Sequence, residues 1–123
     1  MSSCNCACSA APTLIFACSG AADVGELADR TARKLRDDGV GKMFCLAGVG
    51  GRVSGIMMST EAATKILAID GCPLNCTKNS LEQAGFTEFE HLALADLGMN
   101  KGQTEVSDAT IATAAKAAAA KLA

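Results

Sequence analysis

Tyrosine and tryptophan are absent from this chain of 123 residues, and phenylalanine occurs only four times. Single-stranded nucleic acid rests on aromatic platforms, and a formal net charge of −2 offers no basic footprint to a phosphate backbone. Nucleic acid is therefore not an expected partner. No apolar run approaches the roughly 20 residues of a spanning helix, so a membrane is not expected either. Residues 1–12 contain no positive charge and no apolar stretch of leader type. The expected setting is cytoplasmic, with reduced thiols.

What the chain does have is cysteine, seven in all, together with an apolar half large enough for one core. Disulfide scaffolds are loop-rich, whereas long periodic segments run through this sequence, and an odd cysteine number leaves one thiol over. Clustered cysteines in a reducing compartment point instead to metal or redox work.

Residues 13–18 form a short apolar run ending at Ser19-Gly20, the pattern of a buried strand and a turn. Asp23, with Glu26 three residues on, predicts a capping box at the start of a helix that Gly39 ends. A second strand is expected over 42–47, with a glycine-rich loop at 48–51, and one or two helical pieces over 52–64. The third strand is 65–69, and a helix over 74–84 carries Pro73 at its first position. A fourth strand over 91–95, a polar loop and an alanine-rich helix over 107–123 complete the chain. Strands alternating with helices predict a three-layer α/β/α, Rossmann-like domain over 13–123, with a mostly parallel sheet of about four strands. Residues 1–12 read as a cysteine-containing tail in which Cys4, Cys6 and Cys8 can chelate a soft metal or do nothing specific.

Parallel sheets bind ligands beyond the carboxyl ends of their strands. On this layout Cys18 ends the first strand, Cys45 lies late in the second, Cys72 ends the third and Cys76 follows one turn later. Four soft donors suit a zinc ion, with Zn–S about 2.3 Å. A helix N-terminus behind Pro73 is expected to lower the Cys72 and Cys76 thiol pKa values. Taken alone, Cys45 inside an apolar run reads as core filling.

Three segments carry a family resemblance. Phe16-Ala17-Cys18-Ser19-Gly20 with Asp23-Val24-Gly25, then Cys45-Leu46-Ala47-Gly48-Val49-Gly50-Gly51, and Asp70-Gly71-Cys72-Pro73-Leu74-Asn75-Cys76 resemble the motifs of the DGC proteins. These are small prokaryotic proteins named for the central Asp-Gly-Cys, and the likeness runs from Thr13 to about Leu122. The resemblance implies a zinc-binding protein whose four cysteine ligands map onto Cys18, Cys45, Cys72 and Cys76. It raises Cys45 from filler to ligand and implies no activity.

Ser19, Asp23 and Asp70 stand beside the cysteines and are candidates to orient them, with helix capping as the plain alternative. His91, the single histidine, opens the fourth strand and is expected at the surface, at the opposite edge from the cysteines. Gly48, Gly50 and Gly51 admit an anion, with Arg52 beside them. The expected function is zinc binding, with the metal ion as partner. Two alternatives stay open: an enzyme using Cys72 and Cys76, through thiol redox or an open metal position, and an iron–sulfur protein.

Overall fold

A computed structural model describes residues 12–123; Cys4, Cys6 and Cys8, and with them the expected tail, lie outside the described residues. The elements are β1 Thr13–Ala17, α1 Asp23–Asp37, β2 Lys42–Met43, α2 Leu46–Gly50, α3 Ser54–Glu61, β3 Lys65–Asp70, α4 Cys76–Gln83, β4 Glu90–Ala93 and α5 Asp108–Leu122, with a short 3-10 helix at Leu94–Leu97. The sheet is wholly parallel in the order β2-β1-β3-β4.

Alternation along β1 and β3 divides the core into two layers. Ile15 and Ala17 of β1 and Leu67 and Ile69 of β3 pack with Leu27, Ala28, Ala32 and Leu35 of α1 and with Ile111, Ala114, Ala115 and Ala118 of α5. Leu14, Phe16, Ile66 and Ala68 face the other way, onto Val49 of α2 and Leu81 of α4, with Ile56 and Met57 of α3 at the margin. The three-layer α/β/α architecture read from the sequence is the one observed. No helix among the described residues is long and apolar enough to cross a membrane.

The second strand is shorter than its apolar run suggests. After the Phe44 amide donates to the Ile15 carbonyl (2.9 Å), Cys45 caps α2 and the chain turns helical. A brief apolar run fits a buried strand or a buried helix equally well. Here Val49 of α2 is buried in the second core layer and Leu46 packs against that layer, while Phe44 meets Phe16 edge to face at 6.0 Å. The expected glycine loop at 48–51 is thus mostly helix. Arg52, in the left-handed region (φ 58°), donates to the carbonyls of Val49 (2.8 Å), Gly50 (3.3 Å) and Gln83 (3.2 Å). Its guanidinium ties the ends of α2 and α4 together, where the sequence suggested a partner for an anion.

Helix starts also differ from expectation. Ala22 is the N-cap of α1, and no capping box forms there. The Asp23 carboxylate instead accepts from the amides of Val24 (2.8 Å), Gly102 (3.0 Å) and Thr104 (3.1 Å), anchoring the loop before α5. A capping box does occur at α5, between Ser107 and Thr110.

Candidate functional site

In the strand order β2-β1-β3-β4 the chain leaves β1 toward one side for β2 and returns to the other side for β3. The crevice beyond the carboxyl ends of β1 and β3 is the switch point at which doubly wound sheets bind ligands. Cys18 follows β1 and Cys72 follows β3. The parallel ladder places Ala17 level with Ile69, and the Cys18 amide donates to the Ile69 carbonyl (3.2 Å).

Two glycines permit this approach. A Cβ on Gly71 would lie 2.6 Å from the Val24 carbonyl carbon, in collision with the carbonyl itself. A Cβ on Gly25 would strike the backbone of Gly20, at 2.7 Å from its carbonyl carbon. The loop after β3 therefore lies against the first turn of α1, which in turn lies against the loop after β1. Side chains at these positions would hold the two cysteine-bearing loops apart.

Asp70 organises the other wall. At 1% exposure it accepts from the Thr77 amide at Oδ1 (2.7 Å), from the Lys78 amide at Oδ2 (3.0 Å) and bonds His91 Nε2 at Oδ2 (2.9 Å). Helix α4 begins at Cys76, and the residue before it, Asn75, is left-handed (φ 54°) and makes no side-chain cap. Two orphan amides of the first helical turn are satisfied by a carboxylate seven and eight residues upstream of them. Thr77 adds a hydroxyl bond to the Ile69 carbonyl (3.1 Å). The segment between Asp70 and Cys76 is consequently a closed turn, with the Asn75 amide donating to the Cys72 carbonyl (3.2 Å).

The expected helix over 74–84 therefore starts two residues late, and Pro73 lies in the turn before it. Cys72 and Cys76 do not share a helical face; they flank a turn. They nevertheless line one cavity, of about 480 Å³, together with Cys18 and Asp70. Partial desolvation, then the neighbouring charges of Cys72, Asp70 and Cys18, push the Cys76 thiol above its ordinary pKa. This reverses the expected lowering at Cys76. The helix terminus is already neutralised by Asp70, so like-sign neighbours and desolvation prevail.

Cys45 is exposed and lies outside this cavity, in an adjoining groove that Cys18 also lines. Among the described residues, no group of three His, Cys, Asp or Glu side chains is arranged to hold a metal ion. The donor type, though not the arrangement, suits one, because thiolates are preferred by zinc and other soft ions.

The residues expected to orient ligands divide. Asp70 stands at the thiols. Ser19 instead donates to Asp29 Oδ1 (2.8 Å), and Asp23 holds the loop at 102–104. His91 is half-buried beside Asp70, contrary to the expected surface position far from the cysteines. The reason is stagger: β4 pairs only with the later part of β3, Glu90 opposite Leu67 and Ala93 opposite Asp70. A residue at the start of β4 is therefore already near the carboxyl edge. Lys101, which also lines the cavity, carried no signal in the sequence, since it lies in an irregular segment; Leu74, another lining residue, stood within the Asp70–Cys76 motif but was expected to open a helix rather than to line a cavity.

The family model described as the DGC domain matches residues 14–118. The anaerobic and virulence modulator AnvM of Pseudomonas aeruginosa is 38% identical over 96 residues, covering 78% of this chain and 73% of that protein. No solved structure matches the chain.

Proposed function

From the premise that the chain belongs to the DGC domain family, we propose that it is a small metal-binding protein, active in a reducing cytoplasm, that holds zinc through cysteine thiolates. Cys18, Cys72 and Cys76 form the core of the donor set, and Cys45 reaches in from the adjoining groove as the fourth. The observation that supports this is the gathering of three thiols, from two strand ends and a helix start, on one cavity at the switch point. Asp70 is too committed to amides and to His91 to be a ligand. Its part is to fix the turn that presents Cys72 and Cys76.

Metal analysis of the full chain, purified without added metal, tests the reading. About one zinc per chain is expected, lost when Cys72 and Cys76 are replaced by serine. Zinc absent from the parent, or undiminished in the double variant, rejects it. A coloured anaerobic preparation containing iron and sulfide would replace zinc with an iron–sulfur cluster.

Thiol exchange through Cys72 and Cys76 is the second reading, favoured by their positions on either side of one turn. The raised Cys76 pKa weighs against it, because reactive thiols are held low. A reversible Cys72–Cys76 bridge in the metal-free protein would restore it.

A further inference from the structure

We propose that Cys18 and Cys45 form a reversible disulfide, which makes the groove beyond the ends of β1 and β2 a site of oxidation by hydrogen peroxide. The pairing belongs to the metal-free chain and does not depend on zinc. Both thiols are free, and both line this groove together with Ala17. Strand register brings them to one place. Ile15 of β1 is level with Met43 of β2, and the Phe44 amide donates to the Ile15 carbonyl. One residue on, Phe16 and Phe44 meet edge to face on the side of the sheet covered by α2 and α4. A further residue on, Cys45 comes level with Ala17 and by alternation turns to the other side, with its backbone still extended (φ −97°, ψ 105°). Ala17 belongs to the core layer under α1, and Cys18, just past the strand, packs against that same layer. Strands about 4.8 Å apart with a rise of about 3.3 Å per residue set diagonal neighbours about 6 Å apart at Cα. That lies inside the range a disulfide spans, about 4.4–6.8 Å.

The two thiols have unequal parts. Cys45 is exposed and belongs to neither core layer, so it is the one that meets the oxidant. Cys18 is half-buried beside it and resolves the product. An accessible cysteine poised next to a resolving one is the arrangement of redox-sensing thiols, and in a reducing compartment such bridges are transient. Cys45 Sγ attacks one peroxide oxygen, the O–O bond breaks, and a sulfenic acid and one water form. Cys18 Sγ then attacks Cys45 Sγ; the S–S bond forms and the sulfenic oxygen leaves as a second water. Two electrons pass from the thiols to the peroxide, and both thiol protons end in the water. Because Cys18 also lines the cavity beyond β1 and β3, the bridge withdraws one of the three thiols gathered there.

The test uses the full chain, reduced and freed of metal with a chelator, then treated with hydrogen peroxide, capped with iodoacetamide and cleaved with trypsin and chymotrypsin. Cleavage after Phe16 parts Cys18 from Cys4, Cys6 and Cys8. Mass spectrometry of the monomeric fraction is expected to find the Cys18 and Cys45 peptides joined, and dithiothreitol is expected to separate them. Cys18→Ser is expected to abolish the bridge and to leave Cys45 as a sulfenic acid that dimedone captures. A bridge from Cys72 to Cys76 in place of this one, a bridge from Cys18 or Cys45 to a cysteine among residues 1–8, a dimer joined through Cys45, or a chain that stays reduced overturns the inference. The mapping is made on the parent, so a variant that fails to fold does not rescue it. With the metal removed beforehand, failure here leaves the zinc reading standing, and a parent without zinc leaves the disulfide standing.

Discussion

His91 Nε2 stands 2.9 Å from Asp70 Oδ2, one strand over in the sheet, and the same carboxylate caps the first turn of α4 through the amides of Thr77 and Lys78. One buried side chain thus joins the end of β3, the start of α4 and β4. The thiol-bearing turn is fixed at its base by this junction, which is why Asp70 is the residue whose loss reaches furthest.

Asp70→Ala leaves two helix amides and the imidazole without their partner. Losing a helix cap costs about 0.5–2 kcal/mol, and a stranded buried polar group about 1–3 kcal/mol. A loss of about 2–4 kcal/mol is expected in urea unfolding. His91→Ala removes one bond of the junction and is expected to cost about 1 kcal/mol. The double variant should fall short of the sum by at least about 0.5 kcal/mol, because the two side chains are in contact. Full additivity would show that they act independently.

Gly71→Ala places a methyl group into the Val24 carbonyl, and the backbone there has no rotamer with which to yield. Destabilisation of about 1–3 kcal/mol is expected, as for overpacking elsewhere, and the zinc uptake proposed above should weaken because the two cysteine loops are pushed apart. Gly55→Ala serves as the contrast: nothing lies within 4 Å of its Cβ position and it sits in α3. That change should stabilise the protein by about 0.5–1 kcal/mol. Thermal melts and metal titrations of the two variants check both statements.

Cys76 favours its neutral form in the fold. A raised folded-state pKa contributes stability that is fully present below the unfolded value and is lost as pH rises through the folded value. The metal-free protein should therefore lose stability on the alkaline side of the ordinary thiol value of 9.0. Alkylation of Cys76 should reach half its limiting rate at a higher pH than that of free cysteine. Cys72→Ser should move that midpoint downward, since Cys72 is the leading charge acting on Cys76. An unmoved midpoint would mean that the Cys72 charge does not act on Cys76, leaving desolvation with the charges of Asp70 and Cys18 as the cause.

The Asp23 carboxyl is held below the usual carboxylate range, first by the Gly102 amide and then by that of Thr104. A depressed pKa contributes stability above the unfolded value, lost as pH falls through the lower folded value. Loosening of the loop is accordingly expected only in acid, below the ordinary carboxyl value of 3.8. At neutral pH, Asp23→Ala should abolish hydrogen-exchange protection at Gly102 and Thr104 while sparing β1 and β3.

The alternation of apolar strands with periodic helices was enough to indicate a parallel three-layer domain, because period and polarity are local properties of a chain. The position of Cys18 and Cys72 just past β1 and β3 was legible for the same reason. Local pattern also misled where two structures bury the same residues equally well. The run from Phe44 to Val49 reads as a strand and folds as a strand end followed by a helix. Asp23 and Glu26 have the spacing of a capping box, yet Asp23 is drawn to a loop some 80 residues away.

The sequence by itself determined which chemistry is available here: thiols near strand ends, next to glycines, in a chain without aromatic platforms or a basic face. Only the tertiary structure decided who meets whom. The stagger of β4 brought His91 to Asp70, the bare Cα atoms of Gly25 and Gly71 let two loops close on α1, and the early turn into α2 set Cys45 apart from the other three thiols. Such relations depend on register and on backbone-to-backbone distance between segments far apart in the chain, and neither is recorded in the order of residues within any one segment.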